Sequence, residues 1–227
     1  MKTTQIITSQ IKYIIENAGD FTKICLPYAL IAIVGLYIAE SSLYYYPYVI
    51  IESLVAALMV INIHRHVILN DKDYYSLNQR FKLILIYFCY SVLLLALCFG
   101  SFLFLLVVYQ ITDNFIIHLI FFSTAILVFL FTYPSLVLNL PMVAAGEKIK
   151  FFQMWKLSKG FKLTLFLQIL FIGILFWIIL ALLVFILANS PVLFTLISKF
   201  LGLVIYVLIV ACLSKTYVLW KESQTLE

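Results

Sequence analysis

The feature that most constrains this chain is a succession of apolar runs, broken by short polar segments, along almost its whole length. Six such runs can be drawn, over residues 24–39, 48–63, 83–108, 115–140, 163–188 and 200–220. A helix needs about 20 mostly apolar residues to cross a bilayer. Four runs meet that length outright, and the first two are expected to extend into flanking Tyr and Val positions. Composition agrees: 65% of the residues are hydrophobic and 11% are charged, against roughly 25% charged in soluble domains. A water-soluble fold could not cover that much apolar surface. The fold class expected is therefore all-α, a polytopic membrane helical bundle of about six transmembrane helices. The expected layout is one integral membrane domain over residues 1–227, with an N-terminal amphipathic helix over 1–23 and a basic interfacial segment over 147–162.

Charge placement sets the expected orientation. The chain holds 15 lysines and arginines. Fourteen fall before the first run, between the second and third, between the fourth and fifth, or at the end of the sixth. Only Lys199 falls in the alternate loops. Basic residues in short loops stay in the cytoplasm, so both termini are predicted to be cytoplasmic. The N-terminus "MKTTQIITSQIKYIIEN" lacks the basic-then-apolar order of a cleavable signal peptide, and the first spanning helix is expected to act as the insertion signal. The alternate loops are short, and Tyr44, Tyr45, Tyr46 and Tyr48 cluster at the first of them beside Pro47. Amphipathic rings of this kind anchor at the headgroup level.

Three basic-side segments carry amphipathic patterns. Ile7, Ile11, Ile14, Ile15 and Ala18 recur at helical spacing, with Gln5, Ser9, Lys12 and Glu16 opposite, which predicts a helix lying in the membrane plane. In "GEKIKFFQMWKLSKGFK", Phe151, Met154 and Trp155 form an apolar stripe. Lys150, Gln153 and Lys156 face away from it, while Lys148 and Lys159 snorkel to the headgroups. The candidate lipid-interface residues are thus Lys148, Lys150, Lys156, Lys159 and Trp155, with anionic lipid headgroups the expected partner. In "DYYSLNQRF", Asp73 is placed to cap a short helix with Tyr74, Leu77 and Phe81 along one face. Each segment ends alike, in "FTKICL", "FKLILI" and "FKLTLF". Three in-plane-helix-plus-hairpin units, or a shared preference for an aromatic and a lysine at the boundary, both account for that.

Chemistry-bearing residues are few. Glu52 lies about five residues into the second run, and ionisable residues inside a membrane are functional candidates by default. With His118, isolated in the fourth run, it forms the candidate intramembrane polar site. His64, Arg65 and His66 read as a basic cluster where the second run meets the cytoplasm. Two helical histidines two residues apart point in different directions, so no metal site is assigned. Pro134 and Pro141 are seven apart and each removes a backbone donor, which predicts a bent helix. Cys25, Cys89, Cys98 and Cys212 read as small buried hydrophobes. No G-x-S-x-G, H-E-x-x-H, C-x-x-C or phosphate-binding glycine loop occurs. The expectation is no catalytic role, no cofactor and no nucleic-acid partner.

Two short stretches resemble known membrane proteins. Pro141, Glu147, Trp155, Leu157 and Gly160 match a proline, then acid, then "A-W-x-L-T-x-G" pattern. It occurs in a loose group of bacterial six-helix inner-membrane proteins of unknown function (YciC-like), and in the membrane domain of some glycerophosphoryl diester phosphodiesterases. His64, Arg65, Val67, Leu69 and Asp71 fit a "W-H-R-[FY]-[VI]-L-L-G-E" segment of related proteins, from which Ile63, His66 and Asn70 depart. The resemblance implies a multi-pass protein of the bacterial inner membrane and no established activity. The functional expectation is a non-enzymatic accessory or scaffold protein acting through its cytoplasmic face; the alternative is a small transporter or channel component, with a membrane-protein partner expected for the first.

Overall fold

The computed structural model describes residues 3–35, 38, 43–74, 77–111, 116, 120–121, 123, 137–147, 161–186 and 190–224. Among them are seven helices: α1 (Thr3–Glu16), α2 (Ala18–Gly35), α3 (Tyr45–Leu69), α4 (Leu77–Ile111), α5 (Asn139–Ala144), α6 (Lys162–Ile186) and α7 (Pro191–Gln224). Four are long and apolar enough to cross a membrane, namely α2, α3, α6 and α7. That is four among the described residues, not the six expected. The third expected run lies within α4, which does not figure among the four. Most of the fourth, with His118 and Pro134, lies outside the described residues.

α6 shows why the class is that of a polytopic helical membrane protein. Its buried residues Leu165, Gln168 and Ile172 form one stripe at i, i+3 and i+7. Phe171, Ile174, Trp177, Ile178 and Phe185 face outward. A helix apolar on every side yet half uncovered is one whose solvent is lipid. α4 has the same build, with Arg80, Ile84, Tyr87, Tyr90 and Leu94 buried at steps of four, three, three and four.

The bundle is tight at one end and open at the other. α3 is buried almost all round from Met59 to His64, whereas Ile50, Ile51 and Leu54 in its first half are exposed. α2, α4, α5 and α7 all pack on α3, and α7 also packs on α1, α5 and α6. Residues 210–214 and 216–217 of α7 are buried at the tight end.

Several boundaries differ from expectation. α7 begins at Pro191, so the loop expected up to Lys199 is mostly helix, its proline occupying the first turn where no donor is needed. Pro47 likewise sits in the first turn of α3, and Pro27 lies inside α2. No separate capped helix follows Asp73: residues 70–74 are irregular and the chain enters α4 at Leu77. Tyr74 is buried while Phe81 is exposed, so they share no face.

α1 is not a helix laid over lipid alone. Its buried residues are Ile6, Ile7 and Gln10, and Ile7 packs against Ile172 of α6 and Cys212 of α7. Ile11 and Ile15, expected on the membrane-facing stripe, are not covered by the bundle. The helix carries two apolar stripes, and the bundle takes the one with Ile6. Phe21, Phe81 and Phe161, which open the three similar segments, sit in three environments: buried, exposed and half-buried. Of the cysteines, Cys212 is buried, Cys25 intermediate and Cys89 exposed, the last a departure from the buried role expected.

Candidate functional site: a buried polar lock and a lateral cavity

The tight end is held by a network centred on the end of α3. Asn70 closes α3 with φ 52°, its N–H and that of Asp71 bonding back to the carbonyls of His66 and Arg65. Left-handed backbone at this position favours Gly and tolerates Asn. That accounts for Asn70 standing where the resembling segment has glycine. The turn brings Asp71 back beside its own helix. Arg65 donates from Nε to Asp71 Oδ2 at 2.7 Å, and Arg80 of α4 donates to the same oxygen at 2.9 Å. Arg65 also reaches the Ala144 carbonyl of α5 at 3.2 Å, and the Asp73 amide caps Asp71 Oδ1 at 2.9 Å. Arg80 further donates to Asn62, whose amide donates to the Tyr74 carbonyl at 2.8 Å. Burial alone raises the pKa of Asp71. The Asp73 amide, the Arg65 hydrogen bond and the two guanidinium charges outweigh it and hold the carboxyl below its ordinary value.

His64 and His66 are fully buried, not an interfacial basic cluster. Their rings diverge, as two residues' separation on a helix requires. His64 Nδ1 lies 2.7 Å from Ser214 Oγ of α7, and Nε2 lies 3.4 Å from the Tyr87 hydroxyl of α4. Ser214 donates to the Val210 carbonyl at 2.8 Å. With Nδ1–H donating to Ser214 and Nε2 accepting from Tyr87, every group is satisfied. His66 turns the other way, among the rings of Tyr13, Phe21 and Tyr74 at centroid distances of 5.9, 5.4 and 5.9 Å. Its Nδ1 meets the Tyr74 hydroxyl at 3.2 Å. Burial, then the charge of Asp20 nearby, pushes the Tyr74 phenol up to about 12. Among the described residues, no group of three or more His, Cys, Asp or Glu side chains is placed to hold a metal ion.

The same end gathers further charge. Asp20 pairs with Lys23 at 3.9 Å and Lys72 at 3.4 Å. Gly146, at φ 81°, turns the chain after α5 and presents Glu147 to Lys221 at 2.6 Å. Gln168 and Thr216 bond across α6 and α7 at 3.1 Å, and Asn139 donates to Tyr90 at 3.0 Å. Most polar groups of this end bond to one another, while His66 Nε2 and Gln10 Oε1 are buried without a hydrogen-bond partner among the described residues. Together these contacts tie the helix ends to one another.

Glu52 lies elsewhere. It lines a cavity of about 660 Å³ whose back wall is α3 and whose sides are α2 and α7. Tyr28, Ala29, Ala32, Ala56, Lys199 and Leu203 are among the lining residues. Tyr48, one turn before Glu52, interacts electrostatically with its carboxylate. Lys199 was legible only as the exception to the charge count, and nothing in the sequence pairs it with Glu52. Of the other sequence-derived candidates, His118, Lys148, Lys150, Trp155, Lys156 and Lys159 lie outside the described residues. No family model, curated protein or solved structure matches this chain, so its functional reading rests on these residues.

Proposed function

We propose that this chain is a multi-pass protein of a bacterial inner membrane, with both termini in the cytoplasm, acting as a non-enzymatic accessory or scaffold protein. Its basic end engages anionic lipid headgroups or a membrane-protein partner. One observation carries the reading: Lys23, Arg65, Lys72, Arg80 and Lys221 gather at the single tight end of the bundle, where the buried polar groups lock the helices and leave the outer lysines on a fixed platform. A lock of this kind supports a surface that binds rather than a site that turns over. The sequence pattern of Lys148, Lys150, Lys156 and Lys159 supports the same reading, a lysine near an anionic leaflet contributing roughly 1 kcal/mol. The resemblance in the two motifs fits this reading and brings no activity with it.

The test is capture of the protein in native-lipid particles, with wild type compared to the variant carrying Gln at those four lysines. The variant is expected to lose anionic lipid or a stoichiometric protein companion. Equal lipid and protein content in both would refute the reading. The transporter alternative drew on Glu52, Gln110, Asn114, His118, Asn139 and Gln168. Asn139 and Gln168 bond within the bundle, while Glu52 lines the cavity and keeps that alternative in play. Cysteine probes around Glu52 that label from water would favour it.

A further inference from the structure

We propose that the cavity between α2, α3 and α7 is a binding site for one aminophospholipid, its ammonium held by Glu52 and its phosphate by Lys199. α2 and α7 each pack on α3, and the space between them is walled by Ala29, Ala32, Ala56 and Leu203. Its rim residues Ile33, Leu196, Phe200 and Tyr206 are exposed, so the cavity opens sideways, where lipid lies. At about 660 Å³ it falls in the range of small-molecule sites, roughly 300–1,000 Å³. A second spanning helix, about 10 Å across and 30 Å long, is far too large for it.

Charge decides the occupant. Glu52 and Lys199 line one cavity without forming an ion pair with each other among the described interactions. A carboxylate and an ammonium on one apolar wall match a ligand that carries both signs on its head and hydrocarbon behind it. Glu52 is seven residues past the start of α3 and Lys199 eight past the start of α7, each about 10–12 Å along its helix. That depth suits a headgroup drawn slightly below the surface, with an acyl chain against the alanines. A primary ammonium donates hydrogen bonds to Glu52, whereas a quaternary ammonium has none to give. The site should therefore read phosphatidylethanolamine over phosphatidylcholine.

Gly202 gives the decisive variant. It lines the cavity, and a Cβ added there meets nothing within 4 Å. Gly202→Phe adds bulk from that open position and improves the helix. The protein is reconstituted in nanodiscs of equal phosphatidylethanolamine, phosphatidylcholine and phosphatidylglycerol, released, and its retained lipid read by native mass spectrometry. Wild type is expected to keep one phosphatidylethanolamine. Glu52→Gln should lower that retention roughly tenfold, the factor for one contact of about 1.4 kcal/mol, and Gly202→Phe should abolish it with thermal stability kept. Equal retention of phosphatidylethanolamine and phosphatidylcholine by wild type, or undiminished retention in Gly202→Phe, would overturn the proposal. The four-lysine variant should leave this lipid bound, which separates the site from the basic face.

Discussion

Asp71→Asn is the sharpest probe of the lock. It leaves the shape of the side chain and removes the one negative charge shared by Arg65 and Arg80. The Arg80 side chain is 5% exposed and that of Asp71 19%, so water cannot replace the lost partner. Removing one member of a buried pair costs about 3–5 kcal/mol, and Asp71 stands at the edge of the buried region, so about 3 kcal/mol is expected. That is roughly a hundredfold in the folding equilibrium. The assay is unfolding in mixed micelles by added denaturing detergent, followed by tryptophan fluorescence. A second substitution, Arg80→Met, made in the Asp71→Asn background should recover part of the loss, because it removes the stranded cation. The pH dependence follows from the lowered Asp71 pKa. Its contribution is full above the unfolded carboxylate value of about 3.9 and is lost only as pH falls through the lower folded value. The gap between wild type and Asp71→Asn should therefore be constant from pH 5 to 8 and close only in strong acid, on the order of pH 3 and below. A loss under about 0.5 kcal/mol, within the range of ordinary surface substitutions, would show that the two guanidinium contacts do not hold this end together.

Three further outcomes are expected. Gln10→Leu should stabilise the protein by about 1 kcal/mol in a thermal-shift assay, because the buried Gln10 Oε1 has no hydrogen-bond partner. In detergent, a maleimide should modify Cys89 readily and leave Cys212 unmodified until unfolding, since only the first is exposed; mass mapping of the labelled peptides reads this directly. Reporter domains fused after Tyr46 and Asn189 should both read as external, and an internal result at either would break the proposed orientation.

Much of the fold was legible because run length and hydropathy are local properties. α2, α3, α6 and α7 all correspond to runs visible in the sequence. Their ends were less so, because α3 and α7 carry their helices past the apolar stretch into polar segments that the tight end stabilises. The bundle-facing residues of α1 were not legible for a physical reason. Ile6, Ile7, Ile11, Ile14 and Ile15 make two overlapping stripes, and periodicity cannot tell a protein-facing stripe from a lipid-facing one. Glu52 stood out as a carboxylate within an apolar run. Arg80 and Ser214 did not declare their partners, because those partners come from other segments and are set by packing. The resembling "IHRHVILND" segment held more than its residue types showed. Its Asn makes the left-handed turn that allows its Arg and Asp to meet.

The partners of the lock are far apart in the chain. His64 meets Ser214 across 150 positions, and Glu147 meets Lys221 across 74. Synthesis runs from the N-terminus, so α3 must wait in the bilayer with its imidazole unmatched until α7 has been made and threaded. A nascent chain stalled before that point would display uncompensated polar groups to the insertion machinery. α7 thus closes a polar network that α3 opens, and the two helices depend on each other for it.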